Sequence, residues 1–468
     1  MDRTLRRLAT ALVVGAMAPL FDSTIVSVAL HGLARDLDAP VATIQWVSTA
    51  YLLAVGVVVP VAGWLQHRVG GRRLWMAALV VFGLGSVLCS LAWDAPSLIA
   101  FRVVQGLGTG VMLPLLTTLL MQEAGGRDLG RLMGVVSLPT ALGPVLGPVV
   151  GGLVLGAAGW RWLFWINVPF VVAGLVLAAM LLPADGRTSR PTLDVVGLLL
   201  LSPGVVGVLL GLSGAAEPGG FARTAVWAPL AAGGALLAAF VAWATRRRGA
   251  ALVDVHVLRH RPLAASASLL FLTGASLYGA MLLLPLSFQE LRGLDALGAG
   301  LLLVPQGVGA LASRTLAGRL NDRFGPRPVA LAGFAVLGLA TLPFVWTGPG
   351  TPAGWLVPVL LVRGVGLGAV TIPLMAVGFV GLAREEVPHA SIVTRIAMQV
   401  GGAVGVAVLA VVLQHALGGA APVEAFHHSF AWAVGFTAVS LALSLLLPGR
   451  PRPAAPEPGR AQLEEVGA

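Results

Sequence analysis

Not one lysine occurs in the chain, and all thirty basic residues are arginine. Charge of either sign is scarce. Only 11% of the residues carry it, where a soluble protein carries about 25%. That shortage excludes a water-soluble globular domain. Cysteine is nearly absent as well. The single Cys89 excludes an intrachain disulfide and any cysteine cluster for a metal. No metal cluster, nucleophile–base pair or cofactor motif stands out, so nothing supports an enzyme and no cofactor is expected. The glycines of "GLGTG" (106–110) look like a phosphate cradle, but no strand precedes them and that reading fails. Low-complexity sequence is confined to a Pro-rich tail over 450–468, expected to be disordered.

What fills the chain instead is apolar. Hydrophobic residues make up 57% of the 468. They recur in runs of roughly 20, the length a helix needs to cross a ~30 Å hydrocarbon core. The chain therefore reads as an all-α polytopic membrane protein. The first run is too long for a signal-peptide core and lacks a small-residue cleavage site, so it reads as a true span. Fourteen transmembrane helices are predicted: 8–30, 41–66, 72–93, 96–122, 131–156, 162–182, 193–213, 224–245, 262–290, 296–317, 328–346, 353–382, 388–417 and 427–447.

The net charge of +10 does not point to nucleic acid, because the arginines sit in short loops between spans. An even number of spans puts both termini on one side. That side collects twenty-two arginines, and the other collects Arg35, Arg161, Arg223 and Arg292. Arg102, Arg314, Arg363 and Arg395 fall within helices or at their ends. The asymmetry predicts that both termini are cytoplasmic. Arginine in place of lysine, with 61 Gly and much Ala and Val, fits a GC-rich genome.

Two stretches recur. "GWLQHRVGGRR" (63–73) resembles "GRLNDRFGPRP" (318–328), and "RVVQGLGTG" (102–110) resembles "RGVGLGAVT" (363–371). The offsets, 255 and 261 residues, are nearly equal. Two six-helix bundles separated by two extra helices explain this spacing. The first bundle is placed at 1–182, a linker with the extra helices at 183–250, and the second bundle at 251–449. Duplicated halves mark transporters whose substrate site lies near the membrane midplane at the repeat interface.

With these motifs in this order, the chain resembles the major facilitator superfamily over about residues 8–447. Within it the resemblance is to the fourteen-helix drug:proton antiporters. "DSTIVSVAL" is similar to that group's helix 1 motif, Asp22 included. Gly63, His67, Arg68, Gly70 and Arg72 fall on its cytoplasmic loop motif, and Gly318, Asp322, Arg323 and Gly325 on the second copy. Arg102, Gln105, Gly106 and Gly108 match its helix 4 motif. Gly143, Gly147, Pro148, Gly151 and Gly152 match its helix 5 antiporter motif at every position. "WRWLFWINVP" (160–169) and "RIAMQVGGAVGVA" (395–407) are further marks. The resemblance implies the major facilitator fold in a bacterial inner membrane, as a monomer. One departure stands out. The loop motif usually has an acid where this chain has His67, and in the family that acid helps latch the cytoplasmic side. Either the first-half latch is weaker or pH-dependent, or the change is neutral at a wet loop position.

Asp22 is the only ionisable residue between Arg7 and His31. It falls roughly 21 Å along its predicted helix, at bilayer depth. A charge there costs about 2.5–3.5 kcal/mol on insertion scales. Desolvation favours the neutral acid, so the group can exchange a proton near neutral pH. Asp22 is thus the proton-coupling candidate; the alternative is a packing Asp bonded to backbone or hydroxyls. Arg102 cannot lose its proton, so it is either a fixed charge that helps eject the proton from Asp22 or an interfacial residue snorkelling outward. Glu290, at the end of its helix, is either a solvated interfacial acid or a second coupling site. Gln45, Trp46, Tyr51, Gln105, Phe271, Tyr278, Gln289, Gln306, Arg395 and Gln399 are candidate substrate-cavity residues; packing or lipid-facing roles are the alternatives. Gly143, Gly147 and Gly151 share one helix face and permit close helix approach.

The function expected is proton-coupled export of small amphipathic compounds, with substrate and proton competing for a cavity that contains Asp22. The alternative is a dedicated exporter of a specific metabolite, lipid, siderophore or antibiotic. Protons, a small-molecule substrate and the lipid bilayer are the expected partners.

Overall fold

The computed structural model describes residues 3–124, 132, 150, 151, 153–185, 192–215, 223–247, 251–294, 296–419 and 421–449. Among them it contains helices and no strand. In the first half these are α1 (Arg3–Asp36), α2 (Val41–Val58), α3 (Ala62–Val69), α4 (Gly71–Ser90), α5 (Ala95–Ala124), α6 (Arg161–Trp165) and α7 (Asn167–Leu181). Two helices follow, α8 (Val195–Ala215) and α9 (Thr224–Arg246). The second half contains α10 (Arg261–Arg292), α11 (Ala296–Phe324), α12 (Pro326–Thr341), α13 (Ala353–Val377), α14 (Val387–Leu417) and α15 (Pro422–Leu443).

Twelve helical stretches among the described residues are long and apolar enough to cross a membrane. Two predicted spans are not among them. The predicted fifth span, 131–156, lies mostly outside the described residues, as do Gly143, Gly147, Pro148 and Gly152 of its motif. The predicted tenth span is α11, a continuous helix of 29 residues. Its apolarity is diluted by glycines, Gln306 and Arg314. Boundaries also differ from the sequence pattern. α1 runs past both predicted ends, because a helix continues into the interface wherever no breaker stops it. The predicted second span divides into α2 and α3 around a 3-10 turn at Val59–Val61, where Pro60 lacks the amide proton that an α-helix needs. The predicted twelfth span ends at Val377.

The repeat seen in the sequence is a repeat in space. Gly70 and Gly325 both have positive φ, 95° and 87°, and both sit at the start of the next helix, α4 or α12. Only glycine turns the chain this way without strain. Matching pairs pack in each half: α2 and α4 flank α5, and α11 and α12 flank α13. α8 and α9 pack on each other, and α8 also touches α2 and α14, one helix from each half.

The two halves are joined at one end. An apolar cluster there combines Leu8, Leu12, Leu116 and Met121 of the first half with Ala376, Phe379, Val387 and Ala390 of the second. Ser391 Oγ donates to the Pro114 carbonyl at 3.0 Å, and Gln122 Nε2 to the Arg384 carbonyl at 3.3 Å. This is the end at which α1 begins. At the opposite end the apolar clusters are separate. One holds Phe21, Ile25, Val26, Ala29 and Leu33 with Trp160 and Phe164, and the other Leu283, Phe288, Phe344 and Phe430.

α10 and α14 run in close contact because glycines line the seam. A Cβ on Gly401 would collide with the Phe271 carbonyl oxygen, and one on Gly405 with that of Ala275. Gly401→Ala is therefore expected to destabilise the second half by about 1–3 kcal/mol through overpacking, seen as a lowered thermal transition of the purified protein in detergent.

Candidate functional site

Asp22 sits in α1 with no exposed surface. Helices α5 and α7 supply its direct partners, and α2, α4 and α6 hold those partners in turn. Arg102 Nη1 donates to its Oδ2 at 2.5 Å. Gln105 Nε2 and Asn167 Nδ2 donate to its Oδ1 at 3.0 and 2.9 Å. The carboxylate thus has three donors, one of them charged, which offsets the cost of burying it. Arg102 is equally enclosed at 1% exposure. The snorkelling alternative therefore does not hold, and an interior ion pair stands in its place.

Two glycines allow this convergence. A Cβ on Gly85 would lie 2.7 Å from the Gln105 backbone, and one on Gly106 would lie 2.6 Å from the Tyr51 carbonyl oxygen. Their absence of side chain lets α5 press between α4 and α2. Arg102 and Gln105, one turn apart on α5, then reach α1.

A second set of partners surrounds the guanidinium. Arg102 Nε donates to the Val47 carbonyl at 3.1 Å, and Nη1 to Gln105 Oε1 at 2.6 Å. Its Cζ lies 4.1 Å from the centroid of the Tyr51 ring. Such a face-on arrangement attracts a cation. Tyr51 in turn donates to Thr109 Oγ1 at 3.0 Å. All these partners are neutral. If Asp22 takes up a proton, the pair loses its charge attraction but Arg102 keeps a carbonyl, an amide and a ring. The network therefore has two satisfied arrangements.

Asn167 and Ser86 were not singled out by the sequence pattern. Asn167 binds Asp22 and also donates to Ser86 Oγ at 3.0 Å, and Ser86 donates to the Phe164 carbonyl at 2.8 Å. The signal was present: Asn167 is the one amide within "WRWLFWINVP". Cys89 belongs to the same network, 3.8 Å from Gln105 Oε1. Gly151 of the antiporter motif lies against α1, where a Cβ would come 3.3 Å from Ile25.

The second half repeats the arginine, and among the described residues no acid pairs with it. Arg363 is 1% exposed on α13. Its Nη1 donates to Gln306 Oε1 at 2.6 Å and its Nε to Thr341 Oγ1 at 3.1 Å. Of the remaining cavity candidates, Phe271, Arg395 and Gln399 are half-buried. Trp46 is 48% and Tyr278 42% exposed. The Tyr278 ring lies against Gly402 of α14. Gln45 lies in α2, where its backbone alone is described. Gln289 and Glu290 are exposed at the end of α10, outside the Asp22 network.

At the joined end, Gly63 packs against Pro388 and Ile392 of the second half. His67 turns back on its own helix, with Nδ1 2.8 Å from the Gly63 carbonyl oxygen. Arg68 lies over the Trp64 ring at 5.3 Å. Asp185, beyond α7, caps the start of α4 by accepting from the Arg72 and Arg73 backbone amides at 2.8 and 3.1 Å. Negative charge is favoured at a helix start. Arg72 also donates through Nη2 to the Ala179 carbonyl. In the second copy, Gly318 is buried, Asp322 is exposed on its turn, and Arg323 lies over the Phe324 ring at 5.2 Å. A cavity of about 280 Å³ opens here, lined by Gln66, His67, Arg72, Gln122, Asp185 and Arg384 among others.

Beside the start of α14, Glu386 accepts from the Ala383 amide at 2.9 Å and meets His260 Nε2 at 3.1 Å. Partial burial pushes its carboxyl up, but the Ala383 amide and His260 outweigh that and hold it below the ordinary value. A carboxyl lowered in the folded state adds stability above its unfolded value, and that stability is lost as pH falls through the lowered one. Glu386→Gln is thus expected to lower thermal stability near neutral pH. The difference from wild type should shrink as pH falls below the ordinary carboxyl range and vanish only below the lowered folded value, as read from melting curves across pH.

Residues 12–406 match the Major Facilitator Superfamily. The chain is 37% identical over 421 residues to a multidrug resistance protein B homolog of Mycobacterium tuberculosis, covering 89% of this chain and 77% of that one. It is 30% identical over 389 residues to the lincomycin resistance protein LmrB of Listeria innocua, covering 83% and 82%. Its fold is similar to the crystal structure of the human organic anion transporter MFSD10, with a TM-score of 0.67 at 17% identity, over 95% of this chain and 100% of that one. With its duplicated bundles and its match across most of its length, the chain belongs to the major facilitator superfamily.

Proposed function

We propose that the protein is a proton-coupled exporter of small amphipathic compounds, with Asp22 as the proton carrier and Arg102 as the charge that tunes it. The observation that carries this reading is the buried Asp22–Arg102 pair with its second, neutral set of partners. A proton arriving at Asp22 replaces the ion pair with the neutral arrangement. That exchange biases how α1 and α5 pack, and so which way the two halves rock. Asp22 is fully enclosed here. Proton and substrate therefore act on each other through this rearrangement rather than by contact at one carboxylate. The relatives named for multidrug and lincomycin resistance support export as the direction.

The fuller architecture belongs to the same proposal. Fourteen spans put both termini in the cytoplasm, with six-helix bundles at 1–182 and 251–449 and a two-helix linker at 183–250. The sealed end is then cytoplasmic, and the structure faces outward. The protein sits as a monomer in a bacterial inner membrane. Drug-sensitive bacterial cells expressing it should accumulate less of a fluorescent amphipathic drug than controls, and a protonophore should erase the difference. Equal accumulation with and without the protein would contradict export.

A further inference from the structure

Charge is unevenly balanced in the interior of the two halves. In the first half Asp22 and Arg102 neutralise each other. In the second, Arg363 occupies the repeat position of Arg102 and is held by the neutral Gln306 and Thr341. The repeat offsets carry Asp22 onto 277–283 of α10, "LYGAMLL", which contains no acid. Among the described residues no carboxylate pairs with Arg363.

Arg395 adds a second charge that no carboxylate among the described residues pairs with, and it is less buried than Arg363. One face of α14 meets the first half: Pro388 and Ile392 touch Gly63, and Ser391 binds Pro114. Residues three and four apart share a helix face, so Arg395 and then Gln399 continue that face beyond the sealed contacts. Both are partly buried. Arg395 is half-buried, and its Nε is enclosed without a hydrogen-bond partner. Beside this stretch of α14 lies Tyr51, whose ring also covers Arg102. Ile392 and Ile396 close the sides against Tyr51, Val55 and α8.

Among the described residues a cationic substrate entering here finds no free acid, since Asp22 is enclosed and already paired. An acidic group reaching α14 here meets a half-buried guanidinium whose enclosed Nε has no hydrogen-bond partner, packed beside Ile392, Ile396 and Tyr51. Arginine presents a planar fork that matches a carboxylate. We propose that Arg395 receives an acidic group of the transported molecule, so that the protein selects amphipathic organic anions over cations. This rests on the export reading for its biological meaning, but the binding step can be measured without transport. An anion at Arg395 does not displace the proton from Asp22; a one-for-one exchange would move two charges across the membrane per cycle.

Three probes on one scaffold test the proposal: pyrenebutyrate, pyrenebutyramide and pyrenylmethyl-trimethylammonium. Binding to purified full-length protein in detergent is followed by fluorescence, for wild type, Arg395→Gln and Arg395→Lys. Wild type should bind the anion at least tenfold more tightly than the cation. Arg395→Gln should remove the preference, and Arg395→Lys should retain part of it, with unchanged elution on size exclusion showing that both variants fold. Equal binding of the three probes by wild type, or an undiminished anion preference in Arg395→Gln, would overturn it. Efflux from proteoliposomes separates the two readings. Anion-selective binding without export of any probe sinks the export reading alone. Export of all three at equal rates sinks the anion proposal alone.

Discussion

Replacing Asp22 with Asn is expected to reduce efflux driven by a pH gradient to the level of empty liposomes. Asn keeps the shape and can still bond Gln105 or Asn167, but it takes up no proton at any accessible pH. It also resembles the protonated acid, so the variant should be held in the neutral arrangement, with Arg102 on Val47, Gln105 and Tyr51. Downhill movement of substrate in the absence of a proton gradient should survive in part. Normal pH-driven efflux in Asp22→Asn would remove Asp22 from the mechanism.

The stability of the pair gives the second large effect. Breaking a buried ion pair by removing one partner costs about 3–5 kcal/mol, because the other charge is stranded. Arg102→Gln strands Asp22 among Gln105 and Asn167, and Asp22→Asn strands Arg102. The second should cost less, because Arg102 has neutral partners ready and Asp22 then has only the two amides. The double variant carries no stranded charge and should recover most of the loss. Melting of the four proteins forms a double-mutant cycle. Strong non-additivity is expected in stability, while pH-driven transport should be lost in all three variants. Simple additivity would mean that the two side chains do not act as a pair.

Much of this was legible in the sequence because a membrane simplifies the physics. Apolar runs of fixed length mark spans, and the rare charges within them mark function. Asp22 and Arg102 were visible for that reason, and the loop repeat at 63–73 and 318–328 reappears as the matched turns at Gly70 and Gly325. Neutral polar residues were harder. Asn167, Ser86 and Thr341 carry no charge to set them apart, and their partners lie in distant helices. Arg363 was noticed as an intrahelical charge, but not that no carboxylate among the described residues pairs with it. Which glycines pack was also hidden: Gly85 and Gly106 matter because of a backbone opposite them, which no local pattern records. α11 shows the converse, a long helix whose glycines and polar residues weaken the very signal used to find it.

Proton movement itself is the most direct test of the coupling. Wild-type protein is reconstituted in liposomes with a trapped pH-sensitive dye, no imposed pH gradient, and substrate loaded inside at excess. Substrate leaving down its gradient should draw protons inward, so the lumen should acidify, and Asp22→Asn vesicles should show no change. A lumen that turns alkaline would mean that proton and substrate travel together. Substrate efflux with no pH change in wild type would mean that the transport is not coupled to protons.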